Sequence, residues 1–509
     1  MTMTAPAKAP DENVETLLTR DELRAEKLLS RRPTWASLVL FGLVILTVVG
    51  MWTLPQRELV GASALVLMIV LLFMKVPLAV SLGVPALLGI MAIAGPRAVE
   101  SVLVSVPTSA VTNWSLTVLP MFILMGMLLG SSGITGYVYT AARLWTTWLP
   151  GGLAIGTNVA GAGLASISGS TMGISYALGR VGIPEMLRRG YHPKLAIGSV
   201  IMAGLPGQVI PPSTFLIVVA GLTGAAVGPQ LISGIIPGLT MVALVCALIL
   251  AYALIFPKFA GRTPEQRAAN EKVDGGTVTW KARFASLINV WPLLVVFIGV
   301  FGAMFSGLLT ATEAGAMGAF LAVLLTLVFR RKDKPWRSIM EGTADTVVSV
   351  GSIFFMLVGA HMLGQMIAIT RIGTFFSEFI LSMGLDRVQF LLVVMVVYLI
   401  LGMAMDPLAI LLLTIPVLLP TFGELGIDPL WFGVFAVIMG ELAILSPPVG
   451  VLTFVMHKIL QDKKINLGHK VTLNDVFISV MMFFPAILAL VVLMIFIPEI
   501  VTWLPSLMQ

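Results

Sequence analysis

The sequence predicts an all-α polytopic membrane protein, built from an inverted repeat and interrupted by broken helices. Three observations predict it: scarce charge, apolar runs of bilayer length, and two sets of matching landmarks flanked by oppositely charged loops. Of 509 residues, 58% are hydrophobic and only 11% are Asp, Glu, Lys or Arg. An ordinary globular chain carries roughly 25% charged residues. Too few charges remain to cover a water-soluble particle of this size, so the solvent is largely lipid. The three or four soluble domains that such a length would otherwise suggest are excluded.

The apolar runs at 36–53, 59–74, 235–256, 290–304, 315–329, 390–403 and 476–497 each approach the ~20 residues that cross a bilayer core as a helix. Alternation over short segments is absent, which argues against a β-barrel. About a dozen spanning helices are expected, with several interrupted ones. Residues 1–34 form a polar tail rich in Asp and Glu. A cleaved signal begins instead with a short basic stretch, so 35–57 reads as a retained N-terminal helix. Residues 58–256 form a first half, 257–283 a polar linker, and 284–509 a second half. The single cysteine, Cys246, lies in an apolar run and reads as a buried, inert thiol.

Positive charge orients the chain, because Lys and Arg collect on cytoplasmic loops. Arg20, Arg24, Lys27, Arg31 and Arg32 precede the first helix. Lys258, Arg262, Arg267, Lys272, Lys281 and Arg283 occupy the linker. Further clusters are Arg330, Arg331, Lys332, Lys334 and Arg337, then Lys458, Lys463, Lys464 and Lys470, and a smaller set at Arg188, Arg189 and Lys194. All five fall on the cytoplasmic side, with the N-terminus. The C-terminus, one helix beyond Lys470, is then periplasmic.

The halves repeat. Phe122 and Gly126 match Phe355 and Gly359 at an offset of 233, and Ile183-Pro184 matches Ile415-Pro416 at 232. Pro193, Gly204, Pro211 and Pro212 match Pro429, Gly440, Pro447 and Pro448 at 236. A four-residue insertion accounts for the change. The loop with Arg188, Arg189 and Lys194 has a counterpart without Lys or Arg, carrying Glu424 and Asp428. Equivalent loops therefore lie on opposite faces. An inverted repeat of this kind is a transporter signature, exposing one midplane site alternately to each side.

The interruptions carry the chemistry. GQVIPPST (207–214) and AILSPPVG (443–450) place two prolines inside apolar segments. Proline removes a backbone donor, and freed carbonyls persist in lipid only against protein, water or an ion. One proline alone reads as a packing kink; symmetric pairs point to a binding site. A second pair of breaks lies at 165–175, with Ser166, Ser168, Ser170, Thr171 and Ser175, and at 402–410, with Asp406 before Pro407. Hydroxyls, few carboxylates and carbonyls suit a monovalent hard cation such as Na⁺, although small residues also serve close helix packing.

Ionisable residues inside apolar segments are Glu313, Asp345, His361, Asp406 and Glu441, functional candidates by position. Glu313 after Thr310 reads better as a helix cap, and His361 better as a packing histidine than as a proton carrier. Asp406 and Glu441 lie beside breaks. Trp114, Trp145, Trp148 and Trp503 read as interfacial residues, and Asn113-Trp114-Ser115 as a chance sequon. No phosphate-binding loop motif is present. An intramembrane enzyme would need clustered carboxylates or a nucleophile–base pair, which the scattered acids do not supply.

LPMFILMGMLLGSSGI, LPGGLAIGT, SISGSTMGISYALGRVGIPEMLRRGY, VIPPST, GIIPGL, TATEAG, MDPLAILLLTIPVLLP, LGIDPLWFG and SPPVG together resemble the large membrane subunit (DctM-like) of a tripartite ATP-independent periplasmic (TRAP) transporter. They cover roughly residues 59–505 in the family's order. The resemblance implies a sodium-driven importer of organic acids (carboxylates) in a bacterial inner membrane, not an enzyme. It implies an elevator-type fold like that of the ion transporter superfamily, a scaffold plus a mobile domain with two helical hairpins. Their tips would lie near 113–120 and 349–364, with sodium between each hairpin and the following broken helix.

The ion-site candidates are then Asn113, Ser115, Ser168, Gly169, Ser170, Thr171, Pro211, Pro212, Ser213 and Thr214 in the first half. In the second half they are Asp406, Glu441, Ser446, Pro447, Pro448 and Gly450. Gln208, where many relatives are more apolar, and His361 are weaker substrate candidates. Sodium is the only ion implied, and no organic cofactor is. Implied partners are a small four-helix membrane subunit (DctQ-like) and a soluble periplasmic substrate-binding protein. The extra N-terminal helix departs from the family pattern. A stand-alone sodium- or proton-coupled symporter is the alternative reading, and an intramembrane enzyme the remote one.

Overall fold

The computed structural model describes residues 34–261, 263, 279–288, 290–331 and 334–508. The tail at 1–33, most of the linker, and Arg20, Arg24, Lys27, Arg31, Arg32, Arg262, Arg267, Lys272 and Lys332 lie outside the described residues. Every regular element described is a helix, and the sole bridge among the described residues joins Tyr191 and Ala260.

The first half runs α1 Thr34–Thr53, α2 Arg57–Phe73, α3 Leu78–Ala94, α4 Pro96–Thr112, α5 Val118–Ser131 and α6 Ile134–Thr146. It continues with α7 Gly152–Ser168, α8 Thr171–Arg188, α9 Pro193–Gly204, α10 Thr214–Thr223, α11 Val227–Ser233 and α12 Ile235–Ile255. The second half runs α13 Trp280–Ile288, α14 Trp291–Phe305, α15 Ala311–Phe329, α16 Pro335–Thr370, α17 Ile372–Ser382, α18 Arg387–Leu401 and α19 Pro407–Glu424. Then follow α20 Pro429–Ala443, α21 Val451–Ile459, α22 Lys463–Asn466, α23 Leu473–Met481, α24 Phe484–Phe496 and α25 Glu499–Ser506. Among the described residues, six helical spans are long and apolar enough to cross a membrane. Shorter apolar helices of 10–17 residues, α7, α10 and α20 among them, make up the interrupted segments.

The repeat is visible in the helices themselves. α8 and α19 are both 18 residues long and begin 236 residues apart, at Thr171 and Pro407. α9 and α20 begin at Pro193 and Pro429, the same offset. The match of Ile183-Pro184 to Ile415-Pro416 is therefore a misalignment. Pro184 corresponds to Pro420, inside α8 and α19 respectively, and no four-residue insertion separates the halves here.

Two antiparallel hairpins stand ahead of the broken helices. α7 and α8 reverse at Gly169, whose φ of 62° lies in the left-handed region that glycine enters freely. Their sides meet along their length: a Cβ on Gly161 would lie 2.9 Å from Leu178, and one on Gly182 3.3 Å from Thr157. Small residues let membrane helices approach closely enough for dispersion forces to hold them. α18 and α19 form the second hairpin, bridged by a 2.6 Å hydrogen bond between Tyr398 and Thr414.

The hairpin tips are thus at 168–171 and 402–406, not at 113–120 and 349–364. Around Asn113 the chain makes a short 3₁₀ turn (Trp114–Leu116) between α4 and α5, and α4 packs on α3 and α16. Residues 349–364 lie inside the unbroken 36-residue α16. Gly359 serves packing there: its Cβ would stand 2.7 Å from the Ala79 carbonyl, where α16 crosses α3, while Gly351 and Gly364 face open space. The run at 476–497 is one span interrupted at Met482 and Phe483, ahead of Pro485.

At the centre lie α9 and α20, with every residue from Leu195 to Gly204 and from Trp431 to Ala443 buried. A helix apolar on all sides belongs inside the protein. α1 is the opposite case: Trp35, Leu38, Phe41, Leu46 and Trp52 are exposed, as a lipid-facing helix requires. Trp114, Trp148 and Trp503 are exposed too, whereas Trp145 packs edge-on against Trp280 and Phe284.

Candidate functional site

The site is built from helix ends. α9 stops at Gly204, a 3₁₀ turn covers Leu205–Gln208, and the chain passes through Pro211-Pro212 before α10 begins at Thr214. Ser213 closes the gap: its hydroxyl donates to the Gln208 carbonyl and accepts from the Leu216 amide at 3.1 Å. The second break runs from the end of α20 at Ala443 through Pro447-Pro448 to Gly450, where α21 starts. Ser446 donates to the Ala443 carbonyl at 2.8 Å. Both Pro–Pro bonds are cis.

Each hairpin tip lies against the broken helix that follows it. A Cβ on Gly207 would lie 2.6 Å from the Ser166 amide nitrogen, and one on Gly402 2.7 Å from the Ala443 carbonyl carbon. The close approach is the same in both halves, with the glycine on the broken helix in one and on the hairpin in the other. Gly204 faces Thr171 and Gly440 faces Pro407 in the same register. Ser170 caps α8 by accepting from the Gly173 amide at 3.1 Å, and Asp406 caps α19 by accepting from the Ala409 amide at 3.0 Å.

Ser168, Gly169, Ser170, Pro212 and Thr214 line one cavity of about 250 Å³, closed by Phe215, Phe122, Ile123, Met127 and Ile167 with Ser349 and Ile353 of α16. The carboxyl end of α7 and the amino ends of α8 and α10 meet there. Helix carboxyl ends present carbonyls to a cation, and amino ends present N–H groups to an anion. Ser349, expected at the edge of a second-half hairpin tip, instead lines this first-half cavity from within α16.

Other candidates fall elsewhere. Pro211 borders a wholly apolar cavity with Ile232, Phe297 and Phe301. Asn113 accepts from the Ser115 amide at 3.0 Å, capping its own turn. Leu116 beside them packs on Gly221, seven residues and so ~10 Å along α10 from Thr214. Asp406, Pro447 and Pro448 are exposed, Ser446 and Gly450 buried. Glu441 does not turn toward that group. It is 2% exposed and accepts from Thr171 Oγ1 at 2.7 Å, across the boundary between the halves.

Gln208 is 1% exposed, and neither atom of its side-chain amide has a partner. His361 lines a separate cavity of about 370 Å³ with Thr374, Pro416 and Pro420, its Nε2 also without a partner. Glu313 makes the expected capping box: Thr310 N donates to its carboxylate at 2.8 Å, and its own amide donates to Thr310 Oγ1. Cys246 is half-buried and accepts from Asn158 Nδ2 at 3.3 Å.

The family model described as "Tripartite ATP-independent periplasmic transporter, DctM component" matches residues 65–500. The chain belongs to the DctM family. It is 28% identical over 409 residues to the isethionate TRAP transporter permease protein DctMQ of Oleidesulfovibrio alaskensis, covering 80% of this chain and 61% of that one. The aligned region thus spans less than two thirds of that relative's length. Over 468 residues it is 27% identical to the C4-dicarboxylate TRAP transporter large permease protein DctM of Vibrio cholerae, covering 88% and 98%. Among solved structures it is similar to the Alcanivorax borkumensis YdaH transporter, with a TM-score of 0.57 at 14% identity, covering 85% and 98%. That likeness is one of fold. The family is one of permeases, so this DctM chain is a membrane transport component rather than an enzyme.

Proposed function

We propose that the chain is the large permease subunit of a sodium-coupled importer of an organic acid, most simply a carboxylate. A soluble periplasmic binding protein delivers the acid, and a small four-helix subunit accompanies the chain in a bacterial inner membrane. The N-terminus is cytoplasmic and the C-terminus periplasmic. The observation that carries the reading is the cavity at the first break, where hydroxyls of Ser168, Ser170 and Thr214 meet helix ends of both polarities. Sodium suits the hydroxyls and carbonyls of Ser168, Gly169, Ser170, Pro212 and Thr214. The acid's negative charge suits the amino ends of α8 and α10. The equivalent tip and break in the second half, with Asp406, Ser446, Pro447, Pro448 and Gly450, hold a second sodium. The relatives' names support an acidic substrate, since isethionate is a sulfonate and the other relative takes C4-dicarboxylates. The hairpins and broken helices travel as an elevator against the helices around α3, α5 and α16.

Proteoliposomes holding this chain, its small subunit and the binding protein should accumulate the acid that the binding protein retains, and only under an inward sodium gradient. Uptake that ignores sodium but follows a proton gradient refutes the coupling. Uptake that needs no binding protein refutes the tripartite arrangement and makes the chain a stand-alone symporter.

A further inference from the structure

We propose that Thr171, Ser175 and Glu441 form a separate buried site for a monovalent cation on the seam between the two halves. It rests on the sodium-coupled reading above and adds to it an ion that neither hairpin holds alone.

Glu441 is 2% exposed and Thr171 4%. Their hydrogen bond of 2.7 Å joins the second broken helix to the tip of the first hairpin. No Lys, Arg or His among the described residues forms an ion pair with Glu441. A carboxylate buried without a counter-charge is strongly disfavoured, and one threonine hydroxyl supplies no charge. Ser175 is fully buried and its hydroxyl has no partner. Buried hydroxyls are ordinarily satisfied, and that of Ser175 has its oxygen free to bind a ligand.

Direction follows from spacing. Thr171, Ser175 and Gly179 recur every four residues and share one face of α8. Thr171 meets Glu441, and a Cβ on Gly179 would lie 3.4 Å from Met456 of α21. By that spacing Ser175 lies between these two contacts on the same face of α8. The main-chain carbonyl of Glu441 is also left over, because the Leu445 amide turns to Leu442 and the Ser446 amide to Ala443. One carboxylate, two hydroxyls and one carbonyl make a hard-oxygen set with a single negative charge. That charge neutralises a monovalent ion and leaves a divalent one unbalanced in lipid. Ser168 and Ser170 face the other cavity, so the two sites lie on opposite sides of the tip.

Radiosodium binding to the purified full chain in lipid nanodiscs tests the site, comparing native protein with Ser175→Ala, Glu441→Gln and Ser168→Ala. Ser175→Ala removes an unbonded hydroxyl and leaves the fold intact. It should weaken one sodium ion by roughly tenfold. Glu441→Gln should abolish binding of that same ion, and Ser168→Ala should affect a different one. Native sodium binding in both Ser175→Ala and Glu441→Gln overturns the proposal, whether water or nothing fills the space. If Ser168→Ala alone lowers binding, the cavity reading survives and this site does not. If the native chain binds no sodium, both fall.

Discussion

Replacing Gly207 by alanine tests whether the hairpin must touch the broken helix. The added Cβ would stand 2.6 Å from the Ser166 nitrogen and 2.7 Å from the Ala165 carbonyl carbon. The Ala165 Cβ is nearer still; ordinary heavy-atom contacts need about 3.5 Å, so the two segments must part by about 1.2 Å at this point. Overpacking in a close-packed interior costs about 1–3 kcal/mol. The upper part of that range applies, because the obstructing atoms are backbone and cannot rotate away. Gly163→Ala on the same hairpin arm is the control, since nothing lies within 4 Å of its new Cβ. Alanine there should be neutral or stabilise by up to about 1 kcal/mol through helix propensity. Thermal unfolding of the purified variants, together with uptake in the reconstituted system, reads both effects. Gly207→Ala should unfold at a lower temperature and transport poorly, whereas Gly163→Ala should match the native chain. Adding Ala165→Gly should not rescue it, because the Ser166 nitrogen remains in the way. A Gly207→Ala protein as stable and active as Gly163→Ala would refute the contact.

Two further outcomes follow from other parts of the fold. Thr414 donates to the Ile410 carbonyl at 2.7 Å and therefore accepts from Tyr398, whose ring is fully buried. Tyr398→Phe should cost about 1 kcal/mol, whereas Thr414→Val strands the phenol and should cost about 1–3 kcal/mol; equal unfolding temperatures would contradict this. In the loop ahead of α9, the His192 ring stacks on Phe259 at 4.4 Å and accepts from the Lys194 amide at 3.2 Å. Burial, and secondarily the charge of Lys194, holds its pKa below the ordinary 6.5. The unfolded ring takes a proton more readily than the folded one. Stability is therefore unaffected above the ordinary value and falls as pH drops below it, until the folded ring titrates. His192→Asn keeps an acceptor that cannot titrate and should flatten the fall in unfolding temperature below about pH 6.5.

Legibility in the sequence followed the physics of each signal. The paired prolines could be found because a proline pair in an apolar segment is costly and occurred twice in register. The capping box at Thr310 and Glu313 was readable because its partners are local. The register of α8 and α19 was misjudged because Pro416 and Pro420 both lie inside α19, and an Ile–Pro pair attracts the eye where the true counterpart is Leu419-Pro420. The strings at 165–175 and 402–410 read as breaks but form hairpin turns, since Gly and Ser mark a reversal and a kink alike. The contacts of Gly161 with Leu178 and of Gly182 with Thr157 decide the direction. The tip expected at 349–364 rests on the resemblance alone, and there Gly359 serves a crossing with α3 rather than a turn. Glu441 and Thr171 were both singled out, but 270 residues separate them, and no periodicity couples residues across such a distance.

That one hydrogen bond also breaks the molecule's internal symmetry. At the offset of 236, the counterpart of Thr171 is Pro407 and that of Glu441 is Leu205, so the mirror-related contact has no polar group to offer. Two conformations obtained by exchanging the roles of the halves would not be equivalent. One diagonal of the core is polar and the other is greasy. A ligand can shift a balance between states only by its differential affinity for them. The Thr171–Glu441 bond gives one arrangement a polar contact that its mirror image lacks.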